Sequence, residues 1–128
     1  MMRRINAAGG PPASGGYSQA VEIGRAKRTL FVSGQIPVDR DGHVPPDFSS
    51  QCRLVWANVL AQVSAAGMAV DSIAKVTTFL SSRAFADENG AIRREVLGEH
   101  APALTVIITG IFDEHWLLEI EAIAVEGE

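Results

Sequence analysis

At 128 residues and 47% hydrophobic side chains, the chain reads as one domain over 1–128, with enough apolar surface for a single core. A net charge of −4, with the basic residues Arg3, Arg4, Arg25 and Lys27 scattered, argues against nucleic acid, which requires several phosphates to be neutralised together. No apolar run approaches the roughly 18 residues of a membrane span, residues 5–12 are too rich in Gly and Pro for a leader core, and the lone Cys52 leaves no intrachain disulfide. A cytoplasmic protein is expected.

In chain order, a Pro/Gly-rich entry loop at 11–16 ends at Tyr17. Val21 and Ile23 then share one face of a short strand, and a second β-favouring run occupies 29–33. A hairpin across Gly24 is the simplest way to join them. Gly34-Gln35-Ile36-Pro37 stops the second strand, and 39–47 reads as surface loop, with a short strand conceivable within 36–44. Ser49 or Ser50 caps a long helix that Gly67 ends, and Cys52, Val55, Val59, Val63 and Ala66 recur along it at helical spacing, widened by Trp56 and Leu60. A β-branched strand follows at 73–80, then a helix at 84–97 with Phe85, Asn89, Ile92 and Val96 on one face. Two last strands are expected at 104–111 and 117–125.

The strand at 104–111 is apolar on both sides, with Leu104, Val106 and Ile108 on one and Ile107 and Ile111 on the other. Two helices cover only one face of a sheet, so a second subunit is expected to cover the other. On the last strand Glu119 and Glu121 share a face with Leu117, Ile123 and Val125, roughly 7 Å apart along the strand. Paired carboxylates on an otherwise apolar face suit proton transfer; a hydrated strand end is the alternative. Tyr17 follows a glycine pair that lets the backbone bring its phenol to a cleft wall or lay it over the core. Ser33-Gly34-Gln35 offers hydrogen-bonding groups and close backbone approach, or an ordinary turn. Asn89, an amide on an apolar helix stripe, must find partners. His43, His100 and His115 show no metal-ligand spacing, and Cys52 on the core stripe reads as an inert thiol, so no metal or other cofactor is expected.

These segments, in order, resemble the Rid (YjgF/RidA-like) family of enamine and imine deaminases over residues 14–126. The resemblance rests on Gly-Gly-Tyr-Ser-Gln-Ala at 15–20, Phe-Val-Ser-Gly-Gln-Ile-Pro at 31–37, Gln51 through Asn58, Ala-Gly at 66–67 and Lys-Val-Thr-Thr-Phe-Leu at 75–80. Asn89, Pro102-Ala103 and Glu-Ile-Glu-Ala-Ile-Ala at 119–124 complete it. It implies an α+β, chorismate-mutase-like fold: a mixed six-stranded sheet with two helices on one face, trimerising through the other. It also implies small-molecule sites in clefts between subunits. There Tyr17 and Glu119 match the family's tyrosine and glutamate as catalytic groups, and Asn89 matches its helix asparagine. Backbone around Ser33, Gly34, Ile107 and Ile108 lines the same cleft, with Thr105 beside it.

One position departs. Where the family reads Pro-Ala-Arg-Ser, this chain has Pro102-Ala103-Leu104-Thr105, which puts leucine at the carboxylate clamp. A charge-assisted bond of that kind contributes about 1.5–3 kcal/mol, or one to two powers of ten in affinity. Arg93 and Arg94 follow on the second helix, where a surface location is the default. The resemblance therefore implies a divergent hydrolase acting on a small C–N compound, with a non-catalytic metabolite-binding trimer as the alternative. An endoribonuclease is disfavoured by the acidic balance and by the absence of a paired histidine set.

Overall fold

Residues 1–127 are described in the computed structural model of the protein. In chain order the elements are β1 (Met2–Ile5), β2 (Ala20–Ile23), β3 (Ala26–Gln35), α1 (Phe48–Ala65), β4 (Ile73–Leu80), α2 (Ala86–Leu97), β5 (Ala103–Ile108) and β6 (Leu118–Gly127). Single 3-10 turns at Val70–Ser72 and Arg83–Phe85 lead into β4 and α2.

The long helix forms where its apolar spacing predicts it, but its N-cap is Asp47, neither Ser49 nor Ser50. Asp47 Oδ2 accepts from the Ser50 amide at 3.0 Å, and a carboxylate there also meets the positive end of the helix dipole. At the other end Gly67 adopts φ +76°, its amide donates to Ser64 O at 2.9 Å, and the Met68 amide donates to Val63 O at 3.1 Å. That pair of bonds is a Schellman cap, which requires the left-handed conformation glycine takes without a Cβ clash. Between the caps Cys52, Val55, Trp56, Val59 and Val63 are buried as one stripe.

That stripe packs on a four-stranded sheet of order β3-β6-β4-β5. β6 is antiparallel to both β3 and β4, whereas β4 and β5 run parallel through the α2 crossover. Strand alternation sorts the side chains. Val32, Val76, Leu80, Leu118, Ile120, Ala122 and Ala124 face the helices and are buried. Phe31, Ser33, Lys75, Thr77, Phe79, Thr105, Ile107, Glu119, Glu121 and Ile123 occupy the opposite face, with Phe31 75% exposed and Ile107 41%. Both helices lie on one face, as expected, and the other is left partly apolar and uncovered in a single chain.

The expected hairpin across Gly24 does not form. β2 pairs antiparallel with β1 as a separate two-stranded ribbon, while β3 pairs with β6. A two-residue turn between β2 and β3 would need positive φ, which neither Gly24 nor Arg25 adopts; the Gly24 amide donates instead to Met1 O at 2.9 Å. The sixth strand is thus the N-terminal Met2–Ile5, and residues 36–44 remain loop.

Candidate functional site

On the open face, Glu119 stands opposite Phe79 across the β4–β6 ladder and directly over Gly34. A Cβ added at Gly34 would overlap Glu119 Oε2 and lie 2.8 Å from its Cδ, so glycine is what makes room for this carboxylate. Glu119 is half-buried, and among the described residues its carboxylate has no hydrogen-bond or ionic partner. It lines a cavity of about 360 Å³ with Phe79, Thr109, Gly110, Ile111, Phe112 and Glu121. Ile107 is the β5 partner of Phe79 on the same face, and Thr105 lies two residues back, its hydroxyl accepting from Lys75 Nζ at 2.6 Å. Ser33 lines a neighbouring cavity of about 240 Å³ with Lys75, Thr77 and Glu121.

The remaining candidates lie on the helix side. Asn89 is 2% exposed, and its Oδ1 faces Cys52 Sγ at 3.9 Å. Leu104 and Ile108 pair with Val76 and Leu80 and pack against the core. Asn89 opens onto a cavity of about 480 Å³ with Ser14, Gly15, Arg93, Arg94 and Val106 around it. Arg93 is not on the surface: it is 6% exposed, its Nη2 donates to Gly15 O at 2.8 Å, and its buried Nε has no partner. Burial first, and the adjacent Arg94 charge second, hold its guanidinium below the ordinary arginine range, while the half-buried Tyr17 acts on it in the opposite sense. The spacing that reveals Arg93 is visible in the sequence, because it lies one turn after Asn89 on the same helix face. A stripe read through apolar residues alone passes over it.

Within one chain, then, the seven-residue substrate set and the two catalytic candidates divide. Glu119, Gly34, Ser33, Thr105 and Ile107 gather on the open face or its edge; Tyr17, Asn89, Leu104 and Ile108 gather toward the helices. The sheet separates the two groups.

Three polar residues, buried Gln51 and Ser18 and half-buried Asn58, hold the parts in place, and their roles are not legible from residue type. Gln51, 2% exposed, accepts from the Leu117 amide at 2.8 Å and donates to Pro45 O at 2.8 Å and His115 O at 3.0 Å. It thereby fixes the start of β6 two residues before Glu119. Asn58 Nδ2 donates to Ile36 O at 3.0 Å and Val38 O at 3.1 Å, steadying the chain just past Gly34. Ser18 ties the Tyr17 loop to the start of β5, its amide donating to Pro102 O at 3.0 Å and its hydroxyl to Ala101 O at 2.6 Å.

The other ionisable groups have local roles. Burial pushes the Cys52 thiol up to about 12, the state of an inert core cysteine. His100 Nε2 lies 2.6 Å from Ile73 O, and His115 lies beside Asp113. Asp39, Asp41 and His43 bring ligand atoms within 4.8 Å of one another, but Asp39 Oδ1 already accepts the His43 and Asp41 amides, which hold its carboxyl below the usual range.

Comparison with known proteins adds a consistent result. The 2-iminobutanoate/2-iminopropanoate deaminase of Escherichia coli (strain K12) is 36% identical over 129 residues, spanning 98% of each chain. The crystal structure of a Rid-family protein of unknown function from Yersinia pestis superposes with a TM-score of 0.86 at 26% identity, covering 98% of each chain. That of E. coli TdcF with bound serine does so with a TM-score of 0.74 at 35% identity, covering 98% of this chain and 99% of that one. Residues 8–126 match the family described as Endoribonuclease L-PSP, and the chain is a member of this YjgF/Rid family.

Proposed function

We propose that the protein is a Rid-type hydrolase that converts small imines or enamines to carbonyl compounds and ammonia, in clefts between the subunits of a homotrimer. The observation that carries this reading is Glu119, a half-buried carboxylate without a partner among the described residues, seated over Gly34 on a face that one chain leaves open. A carboxylate so placed takes a proton from water as the water's oxygen bonds to the C=N carbon and returns it to the nitrogen; it then passes the hydroxyl proton of the tetrahedral species to the nitrogen as the C=O forms and the C–N bond breaks. The stoichiometry closes as imine plus water giving carbonyl and ammonia. Tyr17 donates to or orients the tetrahedral species, and Asn89 keeps the cavity wall polar. Since the sheet keeps Glu119 away from Tyr17 within a chain, a second subunit supplies one of them to each cleft. The name of the E. coli relative, an iminobutanoate and iminopropanoate deaminase, supports the reaction class.

The test uses 2-iminobutanoate generated in solution and follows its loss above the uncatalysed rate. Wild-type protein is expected to accelerate it, and Glu119→Gln to lower the rate by about 10²-fold without loss of fold. Tyr17→Phe and Glu119→Gln, unfolded and refolded together, are expected to recover roughly a quarter of wild-type sites, because mixed trimers re-form intact clefts. Sites confined to single chains recover none. A second reading, binding without turnover, is favoured by Leu104, whose side chain packs on the core where the family has its clamp. In that case Glu119→Gln changes affinity and wild-type protein never exceeds the background rate.

A further inference from the structure

We propose that this cleft takes a substrate bearing a carboxylate and that Arg93, flanked by Arg94, holds it from α2, replacing the strand arginine this chain lacks. The proposal rests on the deaminase-type site described above and adds the residue that selects its substrate.

Arg93 is nearly buried, yet its guanidinium is matched only by one backbone oxygen, Gly15 O at 2.8 Å, and its Nε has no partner. Among the described residues no carboxylate lies within 4.0 Å of Arg93 or Arg94; Asp87, exposed on the cavity rim one to two turns earlier, reaches neither. A buried charge without a counter-ion is unfavourable unless an anion arrives to complete it. Arg93 opens onto the cavity of about 480 Å³ that Asn89 also lines, so an anion has a place to arrive.

Arg94, itself exposed, lines the same cavity. Its side chain lies across three glycines: a Cβ at Gly90 would stand 3.2 Å from its Nη1, one at Gly16 3.2 Å from its Cγ, and one at Gly15 3.4 Å from its Nη1. Gly15 and Gly16 both adopt φ +80°, so the loop before Tyr17 bends around the two arginines in a conformation that larger residues rarely take. Two guanidinium groups are thus gathered at one cavity against their mutual repulsion. The depressed Arg93 pKa agrees, since burial and Arg94 both disfavour its charge until an anion balances it. A planar guanidinium matches the two oxygens of a carboxylate, and Nη2 retains a hydrogen after bonding Gly15.

Binding of 2-oxobutanoate and of its uncharged amide to the full chain, measured by calorimetry, tests this. Wild-type protein is expected to prefer the acid by at least about tenfold, and Arg93→Met to cut acid affinity about 10–100-fold while changing amide affinity less than about twofold. Arg93→Lys should keep part of the preference, and Arg94→Met should lose only about threefold. If Arg93→Met does not fold, the acid-to-amide ratio of Arg93→Lys and Arg94→Met decides. An unchanged ratio in these variants, an equal fall for acid and amide, or no binding of the acid to wild type overturns the assignment. Arg93-dependent acid binding without imine turnover keeps the clamp and discards the deaminase reading. Imine turnover insensitive to Arg93 does the reverse.

Discussion

The two halves of the candidate site differ in kind. The helix-side cavity is lined by donors and positive charge, from Asn89, Arg93 and Arg94, and is roofed by a glycine-rich loop. The open sheet face carries carboxylates, Glu119 and Glu121, among apolar groups such as Phe79 and Ile111. One region suits holding an anion and the other suits moving protons. The strand alternation that makes each one also places the sheet between them. On the proposed reading, this division assigns binding and proton transfer to different subunits and makes assembly a condition for activity.

The comparison breaks most completely if the open face needs no partner. Ile107→Glu places a charge on that face, on the edge strand β5, and the expected outcome is a species of the chain's 13.6 kDa with turnover at background. Sedimentation alongside the imine assay checks both, and an active monomer would sink the shared-site reading. A smaller effect is expected from Leu104→Arg, which buries a guanidinium on the core side of β5 and should cost about 2–3 kcal/mol in urea denaturation. Unchanged stability would mean that the new side chain had turned into the helix-side cavity.

Gly34→Ala sharpens the open-face half. The added methyl displaces the Glu119 carboxylate, and a fall in kcat of about tenfold with little change in KM is expected. The smallest effect concerns Cys52, which lies behind Asn89. Its folded pKa of about 12 exceeds the ordinary 9.0, so the folded chain keeps a proton that the unfolded chain loses. Stability from this group is complete below pH 9 and declines as pH rises from there toward 12, by about 1 kcal/mol at pH 10. Denaturation at pH 8 and 10 should show that decrement in wild type and lose it in Cys52→Ala.

Much of this was legible in residue order. α1, β4 and β6 follow from apolar spacing, though the α1 start signal points to Ser49 or Ser50 where Asp47 is the cap, and Tyr17, Asn89 and Glu119 are singled out by motif position. Other features depend on contacts that periodicity does not carry. The hairpin expected at Gly24 is absent because pairing is decided by φ and by distant strands, and Met2–Ile5 is available to β2. Arg93 is expected outside because charged residues are usually solvated; its place one turn after Asn89 points inward, and the bond to Gly15 O shows how it is held there. The division of the site between faces was also hidden: alternation along a strand gives parity, not which layer each parity meets.

The seating of Glu119 over Gly34 has a historical consequence. A side chain at 34 displaces the Glu119 carboxylate from its seat, whereas a shorter residue at 119 needs nothing from 34. Substitutions at the two positions are therefore non-additive, and the order in which they occur matters. A lineage that keeps the glutamate working in this seat is held to glycine at 34. Once the glutamate has gone, residue 34 drifts, and its methyl or larger group then blocks the glutamate's return.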